Sequence, residues 1–431
     1  MNQTLIKNIT LITGKEKEPI ENASIAIDNN SGKIIAIGTN TSNNNNFNGS
    51  NSLNASNISK NQSNYKNIID GEGKFLMPGF IDAHVHIMAN GFLNEDTMNN
   101  PFSYYFYNAL KNMKDTLDAG ITTVRDCGLA DIGTKLAAER RLFPSPKLHI
   151  SVVPLSITGG HFDFYLNSGY DMIQQYKGFP HPVCNGKEGV LQKTREVLRA
   201  KADFIKIMAT GGVISANDAP NDIQFSAEEI KIAVDEADRI GGKKVATHCH
   251  GLGGIKTSLK AGVHSIEHGS FIEKPQAKEM AEKGIFLVPT FSVIKLQKDQ
   301  ASKNELAADK IPKALEVAKV HQENMEMAYE EGVTMVMGTD AGIVEHGKNL
   351  GELQYLTNLG MTPMEAIIAG TFNSAKCLGI ENKTGSIEVG KIADLIITEK
   401  DPLENISILS SPNNILFIMQ NGKVVKNNLN S

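Results

Sequence analysis

The chain has 431 residues, 41% hydrophobic and 21% charged, with a formal net charge of −5. It is long enough for one large domain plus a small one, and that charge excludes the basic face of a nucleic-acid binder. Four cysteines, Cys127, Cys184, Cys249 and Cys377, stand far apart with no CxxC pair, which argues against a disulfide framework and for a reducing, cytoplasmic setting.

The start, "MNQTLIKNIT", has no basic stretch ahead of an apolar core, so no signal peptide is expected. No apolar run approaches the ~20 residues of a membrane span, and no membrane contact is expected. The first 37 residues read as short strands: "SIAID" and "KIIAIG" flank the turn "NNSG". Residues 40–67 are an Asn-rich polar insert that cannot bury a core, and they are expected to form an exposed loop or local disorder.

From about residue 75 short apolar runs alternate with helical patterns. The candidate strands are 80–87, 122–128, 149–157, 203–210, 243–250, 265–270, 285–291 and 334–341. Between them lie segments such as "SAEEIKIAVDEADRIG" (226–241). There Ser226 is placed as N-cap, Glu229 at the capping-box position, and Gly241 at the end. Eight strands alternating with helices is the count of a (β/α)8 TIM-like barrel in an α/β protein. The tail returns to strands at 385–398 and 414–427, the second with the hairpin signal Asn421-Gly422. Both ends together suggest a small β-sandwich domain. The expected division is 1–72 with 385–431 for that domain and 73–384 for the barrel.

Chemistry-bearing side chains gather at the C-terminal ends of the candidate strands, where barrel enzymes place their active sites. In "GFIDAHVHI" (79–87) alternation puts Asp82, His84 and His86 on one face and Ile81, Ala83 and Val85 on the other. Lys206 lies in "FIKIMATGG", His248 in "THCH", His268 in "IEHG" and Asp340 in "GTDAG". An inward lysine is desolvated, which favours the neutral amine. A neutral amine can take up carbon dioxide as a carbamate, whose two oxygens can bridge two cations.

These residues, with "PGFIDAHVHI" (78–87) and the tail "TGSIEVGKIADLIIT" (384–398), resemble the amidohydrolase superfamily over nearly the whole chain. The resemblance implies a binuclear metal centre. His84, His86 and Asp340 would hold one ion, His248 and His268 the other, and a carboxylated Lys206 would bridge them. Such ligands suit two divalent metal ions of the zinc type. Asp340 would also be the catalytic base and then acid in hydrolysis of an amide bond, with Asp82 behind the ligands.

"ITGGHFDFY" (157–165) and "HCHG" (248–251) look like the subgroup containing Xaa-Pro dipeptidases, dipeptide-type carboxypeptidases and imidazolonepropionase-like proteins. By that likeness His161 and His250 would contact substrate, and Arg125, inward if its strand alternates, is a further carboxylate contact. The expected activity is cleavage of a dipeptide or N-acyl amino acid. Alternatives are a cyclic amide hydrolase of imidazolonepropionase type, a deaminase, or a scaffold without catalysis. Lys206 and the absence of a glutamate after His248 weigh against the first two. The complete ligand set weighs against the third. The expected partners are a small-molecule or dipeptide substrate and further copies of the chain. His149, His181, His264 and His321 are read as structural or surface residues, and His346 as lining the mouth after the last candidate strand.

Overall fold

A computed structural model describes residues 2–39, 65–91, 99–166, 168–173, 176–215 and 217–429. Most of the Asn-rich insert, 40–64, lies outside the described residues. The fold is mixed α/β. Five strands open the chain: β1 (Gln3–Leu11), β2 (Ile20–Asp28), β3 (Lys33–Thr39), β4 (Asn67–Asp70) and β5 (Phe75–Pro78). Seven follow through the middle: β6 (Phe80–Val85), β7 (Ile121–Asp126), β8 (Lys147–Ile150), β9 (Ile205–Met208), β10 (Val245–Cys249), β11 (Ser265–His268) and β12 (Phe286–Val288). Three close it: β13 (Leu395–Thr398), β14 (Ile415–Gln420) and β15 (Lys423–Asn427).

Strands from both ends join one eight-stranded sheet in the order β15-β14-β13-β5-β1-β2-β3, with β4 against β1. The junction is β13 running antiparallel to β5, Ile396 opposite Met77. The last hairpin turns at Asn421 and Gly422, both at positive φ (52° and 68°), the pairing a tight two-residue turn demands. Alternate residues such as Ile6, Ile25, Leu76, Leu395 and Phe417 pack together into a separate apolar cluster.

The middle strands are parallel. β6, β7 and β8 form one run, and β9, β10, β11 and β12 another. Isolated parallel bridges carry the order onward: Leu155 to Ile207, Leu287 to Met335, and Val85 to Ala341. The sequence of parallel neighbours therefore returns to β6. The segment 334–341, expected as a strand, forms only isolated bridges.

Helices alternate with these strands. Eight are α1 (Phe102–Asp118), α2 (Ile132–Glu139), α3 (Gly186–Arg199), α4 (Ala227–Arg239), α5 (Leu252–Ala261), α6 (Lys274–Lys283), α7 (Phe291–Ser302) and α8 (Lys310–Glu330). α4 begins with the expected capping box, the Ser226 side chain on the Glu229 amide and the Glu229 side chain on the Ser226 amide. It buries Ile230, Ala233 and Ala237, as an amphipathic helix on a parallel sheet should. Among the described residues no helix is long and apolar enough to cross a membrane.

Candidate active site

The C-terminal ends of β6, β9, β10 and β11 and the segment around Asp340 open into one cavity of about 350 Å³. His84, His86, Lys206, His248, His268 and Asp340 all line it. Alternation delivers His84 and Lys206. Two other members need a backbone departure: His268 (φ 68°) and Asp340 (φ 61°) sit in the left-handed region. That conformation costs of order 1 kcal/mol or more in a non-glycine residue and clusters at functional sites. At His268 it turns the ring into the cavity although its neighbour Glu267 already points inward.

Each of four imidazoles has one nitrogen held from behind by a group that can only accept. His84 Nδ1 donates to the Glu267 carboxylate at 2.9 Å. His86 Nδ1 meets the Gly128 carbonyl at 3.3 Å, and His248 Nε2 the Gly211 carbonyl at 3.3 Å. His268 Nδ1 lies 2.7 Å from Thr290 Oγ1, whose own proton goes to the Pro289 carbonyl. The opposite nitrogens of His84, His248 and His268 are therefore lone pairs facing the cavity, as metal-ligating histidines require, whereas His86 Nε2 faces the Asp340 carboxylate. Burial, with Lys206 adding to it, pulls His84 down to about 4. Burial and neighbouring imidazoles hold His248 and His268 well below their ordinary value. These three rings are neutral at pH 7 and free to coordinate. His86 goes the other way: against burial, the Asp340 carboxylate raises it.

Asp340 Oδ1 lies 3.6 Å from His84 Nε2 and 3.3 Å from His86 Nε2. Although burial opposes it, His84, His86 and Lys206 draw Asp340 down to about 2, so it is ionised at neutral pH. Lys206 has no exposed surface, and among the described residues its Nζ has no hydrogen-bond partner. A buried polar atom left without a partner costs about 1–3 kcal/mol, more when charged. Here it faces the same space as four imidazoles and a carboxylate. His84, His268 and Asp340 bring donor atoms within 4.8 Å of one another, as do His248, His250 and His268. The donor set and the orphaned amine are chemically suited to holding divalent cations. A third cluster, His84, Cys127 and Glu267, lies behind the rings. Burial pushes its thiol up to about 12, and its carboxylate is taken by arginine, so it makes a poor site.

That arginine corrects one expectation. Arg125 points inward but does not line the cavity. It donates to Glu267 at 2.6 Å, to the Ala83 carbonyl at 2.6 Å and to Ser265 Oγ at 3.0 Å, and lies over the Phe204 ring. It therefore acts as the counter-ion of a buried carboxylate, out of reach of substrate. Among the described residues no arginine lines the cavity. His346 is likewise absent from the cavity, its Nδ1 3.3 Å from Thr116 Oγ1. Asp82 lies deeper and holds backbone: it accepts from the His84 amide at 3.1 Å, from Thr339 Oγ1 at 2.6 Å and from Asn349 at 2.7 Å.

His161 and His250 do line the cavity. His161 stacks on His248 with ring centroids 4.3 Å apart. Its Nδ1 donates to Ser215 Oγ at 2.8 Å, and Ser215 in turn donates to Asp218. His250 Nδ1 lies 2.8 Å from Ser270 Oγ. Away from the polar floor the wall is aromatic. Phe102, Phe106 and Tyr176 meet at 5.1–6.4 Å, and Phe162 and Phe164 at 4.7 Å. Glu267, Thr290, Ser215 and Asp218 were not singled out from sequence. The pair "IEHG" carried the one available signal: an inward Glu267 would need a buried cation, and Arg125 was the candidate.

The amidohydrolase family model matches residues 75–425. Ochratoxinase from Aspergillus niger is 33% identical over 442 aligned positions, spanning 98% of this chain and 86% of its own. The crystal structure of a Xaa-Pro dipeptidase with methionine bound in its active site is similar at a TM-score of 0.85 and 32% identity, covering 99% of this chain and 100% of that one. Imidazolonepropionase from Thermoplasma volcanium is 22% identical over 446 positions, 95% of this chain and 92% of its own.

Proposed function

The chain belongs to the amidohydrolase family and is a hydrolase of carbon–nitrogen bonds; from that premise we propose that it cleaves the amide bond of a dipeptide or N-acyl amino acid at a binuclear metal centre. On the same footing we read the closed order of parallel strands as a (β/α)8 barrel, with a β-sandwich built from both ends. The observation that carries the reading is the convergence in one cavity of the Lys206 amine, partnerless among the described residues, with four imidazoles, three of them with inward lone pairs, and one ionised carboxylate.

His84, His86 and Asp340 would hold one cation and His248 and His268 the second, with carboxylated Lys206 between them. Two bound divalent cations would polarise the substrate carbonyl and lower the pKa of water toward 7. The chain's own groups do the rest. Asp340, ionised among its imidazoles, takes a proton from the attacking water and gives it to the leaving nitrogen. His161 and His250 hold the substrate's carbonyl or carboxylate oxygens. The aromatic wall excludes water and receives the apolar part of the substrate. Relatives named ochratoxinase and Xaa-Pro dipeptidase support an acyl–nitrogen bond as the target. The imidazolonepropionase reading has weaker support: that relative is the more distant, and it gives Lys206 no task.

The test is a panel of dipeptides and N-acyl amino acids offered to zinc-loaded protein, with release of free amino acid as readout. Turnover of at least one member is expected. Turnover of a cyclic amidine or a nucleobase, with no amino acid released from any panel member, would overturn the proposal.

A further inference from the structure

His250 differs from the four candidate ligand imidazoles in what backs it. Its Nδ1 is backed by a hydroxyl, Ser270 Oγ at 2.8 Å, and the same hydroxyl lies 3.0 Å from His321 Nδ1. A hydroxyl between two imidazole nitrogens donates to one and accepts from the other. An imidazole carries at least one N–H, so a ring whose Nδ1 accepts from the hydroxyl has its proton on Nε2. The position of the His321 proton therefore decides what His250 shows to the cavity.

His321 is buried, and its Nε2 makes no hydrogen bond. The Pro289 carbonyl lies near enough to favour a charged His321, but among the described residues no acceptor stands within hydrogen-bond geometry of Nε2. A proton on Nε2 would be a buried donor with no good acceptor, rarer in proteins than a spare lone pair. A proton on Nδ1 is satisfied by Ser270. With His321 donating to Ser270, the Ser270 hydroxyl donates to His250 Nδ1, and the His250 proton is on Nε2.

We infer that Ser270 and His321 are positioning residues that hold His250 as its Nε2–H tautomer, making it a hydrogen-bond donor to the substrate's carbonyl or carboxylate and not a third imidazole ligand beside His248 and His268. The inference deepens the amide-hydrolase reading and rests on it for the identity of the acceptor. It also resolves the three-histidine cluster: two of its nitrogens can coordinate, and the third carries a proton. The same device selects substrates, because a partner lacking an oxygen at that point would leave a buried N–H unpaired.

The experiment needs no substrate. The purified holoprotein is labelled with 15N-histidine, and proton–nitrogen correlations within each ring report its tautomer, with His250 assigned by its disappearance in His250→Asn. The expected result is a directly bonded proton on Nε2 and none on Nδ1, a pattern that turns into a mixture of tautomers in Ser270→Ala and in His321→Leu. Metal content per chain after zinc loading is expected to be unchanged in His250→Asn and reduced in His248→Asn. A wild-type His250 protonated at Nδ1 overturns the inference. So does loss of a metal equivalent in a His250→Asn protein that still melts cooperatively. Failure of the amide-hydrolase reading would show in the substrate panel and leave both readouts intact.

Discussion

Lys206 is where burial and chemistry conflict most sharply: a side chain with no exposed surface and, among the described residues, no partner for its amine. The covalent carboxylate proposed to bridge two cations would remove the conflict. Lys206→Ala should therefore lose metal and turnover together, measured by elemental analysis and by the assay above; full activity in that variant would leave the bridge without a role. Asp340→Asn keeps size but loses the base, so kcat should fall about 10²–10⁴-fold, with metal content measured alongside to separate lost coordination from lost proton transfer. Arg125 makes the opposite prediction. Removing it strands Glu267 as an uncompensated buried charge, which costs about 3–5 kcal/mol. Arg125→Met should appear as a large drop in the urea midpoint. A normal midpoint with a raised KM would restore the substrate role expected from sequence. Among the candidate ligands, His84 and Lys206 were legible because alternation places them, while His268 and Asp340 sit where the backbone turns left-handed. Glu267 and Arg125 were hidden because their partnership spans 142 positions, and because the left-handed φ at His268 breaks the alternation that would have assigned Glu267 its face.

At the level of elements, the candidate strands other than 334–341 are in place but shorter than read. The segment 149–157 yields β8 only to Ile150 and then isolated bridges at Leu155 and Ser156. The segment 385–398 is a strand only from Leu395. Apolar runs mark what is buried, whereas hydrogen-bonded ladders end where the backbone bends to aim side chains. The stretch 334–341 shows why. A Cβ at Gly338 would stand 2.4 Å from Val288 Cγ1 and 2.9 Å from His84 Cβ, so the backbone there presses directly on β6 and β12. Gly338→Ala must push on His84 or on its own segment. It should weaken metal binding, read by chelator competition, more than Gly351→Ala, where a Cβ meets nothing within 4 Å. Equal affinities in the two variants would show that β6 yields without moving His84. The capping box of α4 was readable because every contact lies within three residues. The approach of Gly338 to His84 joins distant parts of the chain and has no local signature.

Across the whole molecule the buried titratable groups oppose one another, and their sum sets how stability follows pH. Burial lowers His149 and His264 to about 4 and His321 to about 3. Unfolding lets these rings take up protons near 6.5, so their contribution is complete above that pH and is lost as pH falls toward 4. Glu352 acts on the other side. It lies under the start of α7, accepting from the Phe291 amide at 2.7 Å and the Ser292 amide at 2.9 Å, yet burial raises it to about 8. A carboxyl raised in the fold contributes fully below its ordinary 4.5 and loses that contribution as pH climbs through 8. Stability should thus peak near pH 6–7 and decline on both sides. Glu352→Gln cannot titrate, and comparison with it cancels the pH dependence of metal binding that both proteins share. The stability of wild type relative to Glu352→Gln should fall steadily between pH 4.5 and 8 and be level outside that window, measured as urea midpoints across a buffer series. Parallel profiles for the two proteins would mean that Glu352 keeps its ordinary affinity for protons, with the three hydrogen bonds at the head of α7 outweighing its burial.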